Sequence, residues 1–381
     1  MTHPAPEQLP DLLRSAIEKY RDEAEDIGGL PDDLLDALRT AGAFRLYTPR
    51  ELGGFEAPPA VALDVLERLG RLDGPTAWIV WNLNMGFIAG QIDEDGVARI
   101  WQDPDPLIAN SGSPGGMLPV DGGFRLTGTW KIVSGAPMAD WFVLAGMTPA
   151  SAESSGEGWG AGLFLCVVPR ADVRILDTWD VAGMRASASH SVVADNVFVP
   201  AGMAVDFFAP NRLDDRPAYR HSSVALVYPG CAAVLIGMAQ GAIDELVAPA
   251  RSKSTMDGSP PAAREHVQTA VGRATAEVAA ARGLLLETAR DLDRAVTAGR
   301  PATDLQRAAL RGAICHVTDV SRTVLTSMYE LGSSTPLYRA NRLGRIFRDG
   351  MAAAQAANLA TTQYSLAGRI VLGQPANVPF I

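Results

Sequence analysis

Hydroxyls beside glycine, single histidines and a ladder of arginines are the chemically able side chains of this sequence. Ser134 stands in Val133-Ser-Gly and Ser111 in Asn110-Ser-Gly-Ser. A Ser-Gly pair is most often a turn, and its hydroxyl can also donate to a ligand. His190 closes Ser-Ala-Ser-His, whereas His221, His266 and His316 fall at no metal-binding interval such as His-x-x-x-His, so no metal centre is expected. Cys166, Cys231 and Cys315 are odd in number and widely spaced. That suits reduced thiols in a cytoplasmic protein better than a disulfide framework or a thiolate cluster. Arg342, Arg345 and Arg348 recur on one helical face, as intersubunit or surface ion pairs or, for one of them, as a phosphate grip. No Gly-x-Gly-x-x-Gly follows a strand, so a dinucleotide cradle at a helix N-terminus is not expected.

Three kinds of pattern must position these groups. Up to about Arg99 the apolar residues keep helical spacing, at Leu12, Leu13 and Ile17 and again at Leu34, Leu35 and Leu38. Pro31-Asp-Asp opens one helix, Gly42 and Pro49 fall where it should stop, and Asp73-Gly-Pro-Thr caps a more buried one. Between Ile108 and Pro200 short apolar runs alternate with glycine and proline, which reads as strands, and the serine- and glycine-rich stretch 152–162 reads as an exposed loop. Helical period then returns in long segments at 267–298 and 303–331. The division is a helical domain at 1–105, a β domain at 106–212 and a helical bundle at 213–381.

Composition limits the partners. Acidic residues outnumber basic ones by 43 to 33, which argues against a nucleic-acid surface. The start of the chain has no basic run before an apolar stretch, so no secretory signal is expected. Residues 222–243 carry no charge over a membrane-spanning length, but Pro229 and Gly230 split the run and no Lys or Arg cluster flanks it. A helix buried on all sides is expected, with no membrane.

Helices, then strands, then a bundle is the order of the acyl-CoA dehydrogenase fold, and the local strings resemble that family. Ala41-Gly-Ala-Phe-Arg-Leu-Tyr-Thr-Pro-Arg-Glu-Leu-Gly-Gly resembles the turn after its second helix, and Trp130-Lys-Ile-Val-Ser-Gly-Ala-Pro-Met-Ala-Asp-Trp its flavin-facing strand. Trp179-Asp-Val-Ala-Gly-Met-Arg-Ala-Ser-Ala-Ser-His and Val197-Phe-Val-Pro resemble later strands. Arg348-Asp-Gly-Met-Ala-Ala-Ala-Gln with Tyr364-Ser-Leu-Ala-Gly-Arg-Ile-Val-Leu-Gly resembles the two-component flavin monooxygenases of that fold. The resemblance implies an α+β, mainly α protein with N-terminal helices, a central β barrel or sheet and a C-terminal four-helix bundle. It implies reduced FMN or FAD delivered by a separate NAD(P)H-flavin reductase, O2 as co-substrate, and a small aromatic or amine substrate, in natural-product chemistry.

It also implies site residues. Ser134 falls nearest the flavin N5 edge, Val133 is a further flavin-binding residue, Ser111 falls on the substrate side, and Trp130 flanks the isoalloxazine or fills the sheet. Arg251 matches the arginine that holds the phosphate end, or is a helix-end cation complementing the dipole. Gly332 and Ser333 match a glycine-rich turn offered by a neighbouring subunit, which makes the oligomer obligatory, and the family's precedent is a homotetramer. His190 sits where the family often has histidine. Two places depart from the pattern: phenol-hydroxylating members carry histidines at the positions of Asn84 and Ala356, so Asn84 either orients a polar group of the substrate or packs a helix. A thioester dehydrogenase, the alternative, needs a carboxylate base. One such place falls near Ala357 and the other within 224–242, and neither holds an acid. A third reading, a non-catalytic scaffold of the same fold, draws on the missing histidines.

Overall fold

The computed structural model describes residues 4–149, 162–252 and 259–375. The loop expected at 152–162 therefore lies, Gly162 apart, outside the described residues. Five helices come first: α1 (Leu9–Ile27), α2 (Asp32–Ala41), α3 (Pro59–Leu72), α4 (Gly74–Asn82) and α5 (Glu94–Ile100). α1 buries Leu13 and Ile17, while Leu12, a step of about 100° round the helix from Leu13, faces solvent. α2 follows Pro31, carries Asp32 and Asp33 at its positive end and stops at Gly42, whose φ of 83° a side chain would resist. Asp73 caps α4, its carboxylate accepting the Thr76 N–H at 3.1 Å.

Seven strands follow: β1 (Ile108–Val120), β2 (Gly123–Val133), β3 (Trp141–Met147), β4 (Leu163–Pro169), β5 (Arg174–Leu176), β6 (His190–Pro200) and β7 (Ala204–Asp206). Their order is β5-β6-β2-β1-β3-β4-β7, an open mixed sheet among the described residues rather than a closed barrel. β1 and β3 run parallel and the other pairs antiparallel. The β2–β6 register slips between Trp130 and Val133, and the β1–β3 register between Ser111 and Gly115. Both slips lie beside the serines that the sequence singles out.

The last part holds α6 (Ser223–Ser252), α7 (Glu265–Thr297) and α8 (Asp304–Leu331), with the shorter α9 (Arg342–Ala353) and α10 (Tyr364–Val371) packed on them. α6 has the length and apolarity to cross a membrane, and 83% of its most apolar window is buried inside the protein. Pro229 and Gly230 do not split it. Proline removes one N–H, and packing keeps the helix running: the Trp81 indole donates to the Val227 carbonyl at 2.7 Å. α3 lies so close to α6 that a Cβ on Gly237 would sit 2.1 Å from the Glu67 carbonyl oxygen.

Within the chain the arginines of the ladder meet carboxylates and carbonyls. Arg342 reaches the Leu72 carbonyl and lies beside Glu245, Arg345 pairs with Asp22 at 2.7 Å, and Arg348 donates to the Ala182 carbonyl at 3.2 Å. The spacing was right for one face, and that face packs on α1, α3 and the turn before β6. Asp349, next in line, is buried, and its carboxylate accepts the Met184 N–H at 2.5 Å. Burial pushes its carboxyl up to about 8, with Glu25 and Asp73 nearby and Arg345 opposing. An unfolded aspartate titrates near 3.9, so between those values the folded state holds a proton that the unfolded state has lost. Stability from this group is therefore full below pH ~4 and lost as pH rises towards ~8. Asp349→Asn is expected to flatten the fall of the urea midpoint across that window; an unchanged slope would place the proton on another group.

Candidate active site

α4 stands against the ends of β1, β2 and β6, and the polar side chains at that junction form one connected system. The Asn110 amide donates to the Asn82 carbonyl at 2.7 Å and to its side-chain oxygen at 3.0 Å, and the Asn82 amide donates to the Ser134 carbonyl at 2.7 Å. The Trp78 indole N–H donates to Ser134 Oγ at 3.2 Å. Ser134 Oγ lies 2.8 Å from Ser189 Oγ, which lies 2.7 Å from Ser187 Oγ. All three hydroxyls are buried. Val133 pairs with His190 across β2 and β6, and this register brings Ser134 and Ser189 together. Trp78 and Trp81 meet edge to face, with ring centroids 4.7 Å apart, and wall the junction from the bundle side.

The expected residues divide into those this junction gathers and those it does not. Ser134 is at its centre. Ser111, half-buried in β1 one residue from Asn110, has a side chain that makes no hydrogen bond among the described residues. Val133 is fully buried and takes part only through its backbone pairing. Trp130 fills the sheet. Its ring packs against Gly115 and Gly128, where a Cβ would lie 2.5 and 3.0 Å away, and its indole donates to the Ala145 carbonyl at 3.0 Å. The residue presented outward is Ile132, 65% exposed at φ 59°. A β-branched side chain in that region is strained, and such strain gathers at functional sites. Sequence reasoning missed Ile132, Ser187, Ser189, Trp78 and Asn82. Of these, only the repeated Ser-Ala-Ser offered a local signal.

Asn84 serves the backbone. Its amide N–H groups donate to the Ala43 and Val80 carbonyls at 2.8 and 2.7 Å, and its oxygen accepts the Leu46 N–H at 2.7 Å. With those bonds made it closes the C-terminus of α4 and pins the 43–46 turn, so the helix-packing role fits and little capacity remains for a substrate. His190 is half-buried. Its Nδ1 accepts from the Thr178 and Trp179 N–H groups at 3.1 and 3.3 Å, which places the ring proton on Nε2 in the neutral form. His221 is held by Asp293 at 3.0 Å, away from the junction.

The places for a carboxylate base are empty. Ala356 is half-buried and Ala357 exposed, and the loop they belong to is held from below by Arg311, which donates to the Asn358 carbonyl at 3.3 Å. All three cysteine thiols are buried. Burial pushes those of Cys166 and Cys231 up to about 12 and raises that of Cys315 too.

Gly332 and Ser333 line a cavity of about 470 Å³ together with Ala250, the residue before Arg251. Arg251 itself is exposed in the last turn of α6. Gly332 is right-handed, and its need for glycine is contact with Pro336, whose ring a Cβ would meet at 2.4 Å. Ser333, at φ 55°, makes the turn.

Comparison with known proteins matches the acyl-CoA dehydrogenase N-terminal domain to residues 7–100 and the acyl-CoA dehydrogenase C-terminal domain to residues 230–360. Indole-3-acetate monooxygenase of Pseudomonas putida is 29% identical over 352 residues, covering 90% of this chain and 87% of that protein. HsaA of Rhodococcus jostii, the oxygenase subunit of a flavin-dependent monooxygenase, is 28% identical over 385 residues, covering 97% of this chain and 98% of its own. XiaF from Streptomyces sp., solved in complex with FADH2 and glycerol, shares the fold with a TM-score of 0.90 at 23% identity, over 99% of this chain and 97% of that one.

Proposed function

This chain belongs to the acyl-CoA dehydrogenase family, and from that premise we propose that it is the oxygenase component of a two-component flavin-dependent monooxygenase, acting on a small electron-rich aromatic or heteroaromatic molecule. The observation that carries the reading is the pairing of a buried hydroxyl junction with the alanines at 356 and 357. Desaturation of a thioester needs a carboxylate to take the α-proton, and both expected places lack one. The absence of histidine at 84 and 356 also leaves no side-chain base there for a phenol. A substrate that reacts without deprotonation suits such a site, as an electron-rich ring does.

The residues present fit a flavin. Three hydroxyls share two inter-serine hydrogen bonds, so one proton or lone pair at the Ser134 end remains for a ligand's hydrogen-bonding edge. The cavity at Gly332 and Ser333 has room for a phosphate end, and Ala250, the chain neighbour of Arg251, lines it. Reduced flavin, when bound, supplies the two electrons with which one oxygen atom of O2 enters the substrate and the other leaves as water. The protein's part is to hold, orient and keep dry. Ser134 would present its hydroxyl to the flavin N5 edge, Ile132 and the tryptophans would exclude water, and Ser111 would meet the substrate's polar group.

Its partners in this reading are a separate NAD(P)H-flavin reductase and three further copies of the chain. Leu337 and Tyr338, on the turn after Gly332, are 69% and 73% exposed and offer an apolar contact for a neighbouring subunit. The three buried free thiols suit the reducing cytoplasm.

Anaerobic loading with reduced FMN or FAD, followed by mixing with oxygen, tests the reading. The expected result is flavin reoxidation much slower than in free solution, with little peroxide released when an accepted aromatic substrate is present. Immediate reoxidation with one peroxide per flavin, together with tightly held oxidised FAD that acyl thioesters reduce, would move the protein to the dehydrogenases. In the same titrations Arg251→Ala is expected to weaken flavin binding about tenfold, the worth of a charge-assisted hydrogen bond. An unaltered Kd would leave Arg251 as the cation at the end of α6.

A further inference from the structure

The serine chain has a property that a single hydroxyl lacks: it can run in either direction. An indole N–H only donates, so Trp78 fixes one lone pair of Ser134 Oγ. When Ser187 donates to Ser189 and Ser189 donates to Ser134, both lone pairs of Ser134 are taken and its own proton points out of the chain. When Ser134 donates to Ser189 and Ser189 to Ser187, Ser134 keeps a lone pair facing outward. The distances of 2.8 and 2.7 Å suit either direction. The backbone is shaped to permit this. Side chains two residues apart on a regular strand stand roughly 7 Å apart, whereas Ser187 and Ser189 touch because Ala188 between them is held left-handed, at φ 44°. A non-glycine residue in that conformation is strained. Burying three hydroxyls has its own desolvation cost, which these mutual bonds and the Trp78 indole N–H offset.

We propose that Ser187, Ser189 and Ser134 form a reversible hydroxyl relay that matches Ser134 to both redox states of the flavin. Oxidised flavin presents a bare N5 that accepts a hydrogen bond, and reduced flavin presents an N5–H that donates one. The relay turns one way to donate to the first and the other way to accept from the second. An oxygenase component must take flavin in reduced and let it go oxidised, so neither state may meet a fixed, mismatched dipole. Ser189 is the positioning residue of this device, since it alone can take up the Ser134 proton. The inference rests on the placement of Ser134 at the flavin N5 edge in the proposed function.

Ser189→Ala removes one direction. Ser134, still accepting from Trp78, then has no partner within the chain for its proton and becomes a fixed donor, which favours oxidised over reduced flavin. Equilibrium titration of the wild type and the variant with oxidised FMN or FAD, and anaerobically with each in reduced form, gives the two dissociation constants. The expected result is a rise of about tenfold in the ratio of the reduced-state Kd to the oxidised-state Kd, one hydrogen bond's worth. By linkage the two-electron potential of the bound flavin falls by about 30 mV. Equal weakening of both states would reduce Ser189 to a packing residue and overturn the relay. Failure of the wild type to bind flavin in either state would overturn the functional reading together with the relay. Should Ser189→Ala not fold, nuclear magnetic resonance of wild-type protein loaded with flavin labelled at 15N5 decides the matter. N5 hydrogen-bonded in both redox states supports the relay, and N5 free in either one sinks it.

Discussion

Replacing Ser134 by alanine is expected to raise the peroxide released per flavin oxidised by about 10- to 100-fold at saturating substrate. That is the rate equivalent of losing one hydrogen bond of roughly 1.5–3 kcal/mol in a dry site. Trp78 and Ser189 hold the Ser134 hydroxyl oxygen and the Asn82 amide holds its backbone carbonyl, so the oxygen is in place before any ligand arrives and only the direction of its proton has to turn. The substitution also leaves the Trp78 indole N–H without its acceptor, for a stability loss of about 1–2 kcal/mol. The two effects separate experimentally. Peroxide yield is measured well below the unfolding temperature, with the fold checked by circular dichroism. A variant that loses stability while its peroxide yield and reoxidation rate match the wild type would make Ser134 a packing residue at the end of β2. The flavin site would then have to be sought on the outward face of the strand, at Ile132.

The contrast between Trp130 and Ile132 shows where the sequence stops being informative. Along a regular strand, residues two apart face the same side, so a tryptophan that flanks a ligand would bring Ile132 with it. The register slip between Trp130 and Val133 breaks that parity: Trp130 turns into the sheet, against Gly115 and Gly128, and Ile132 turns out. A bulge is a property of two paired strands, and no residue of β2 alone announces it. Ser187 and Ser189 were hidden for the same reason, because only the pairing of Val133 with His190 carries them to Ser134. Local chemistry, by contrast, was legible. Gly42 ends α2 and Asp73 caps α4 because the required φ or hydrogen bond lies within three residues. Pro229 misled for the converse reason: a local breaking signal was outweighed by distant packing of α6 on α3 and α4. The arginine ladder was legible as one face, whereas its carboxylate and carbonyl partners were not, since spacing defines a stripe and only the fold says what lies opposite.

Asn84→Ala is expected to lower the free energy of unfolding by about 3 kcal/mol, read as a shift of the urea midpoint, while leaving the fate of flavin in the surviving folded protein unchanged. The amide answers three buried backbone groups, the Ala43 and Val80 carbonyls and the Leu46 N–H, and alanine answers none. At the end of α4 the Asn84 N–H itself turns to the Trp81 carbonyl at 3.3 Å, so the Val80 carbonyl depends on the side chain. Asn84→Asp separates the contributions. A carboxylate still accepts from Leu46 but faces two carbonyl oxygens with no proton to give, so it is expected to destabilise at least as much as alanine at neutral pH and to recover part of the loss as acid protonates it. Asn84→His is expected to behave like alanine in stability and to confer no phenol chemistry, because the side chain at 84 is enclosed by the backbone groups it binds. A folded, stable Asn84→Ala protein with substrate turnover lost would reverse that assignment: the amide would then be reaching the substrate, and the three backbone bonds would be expendable.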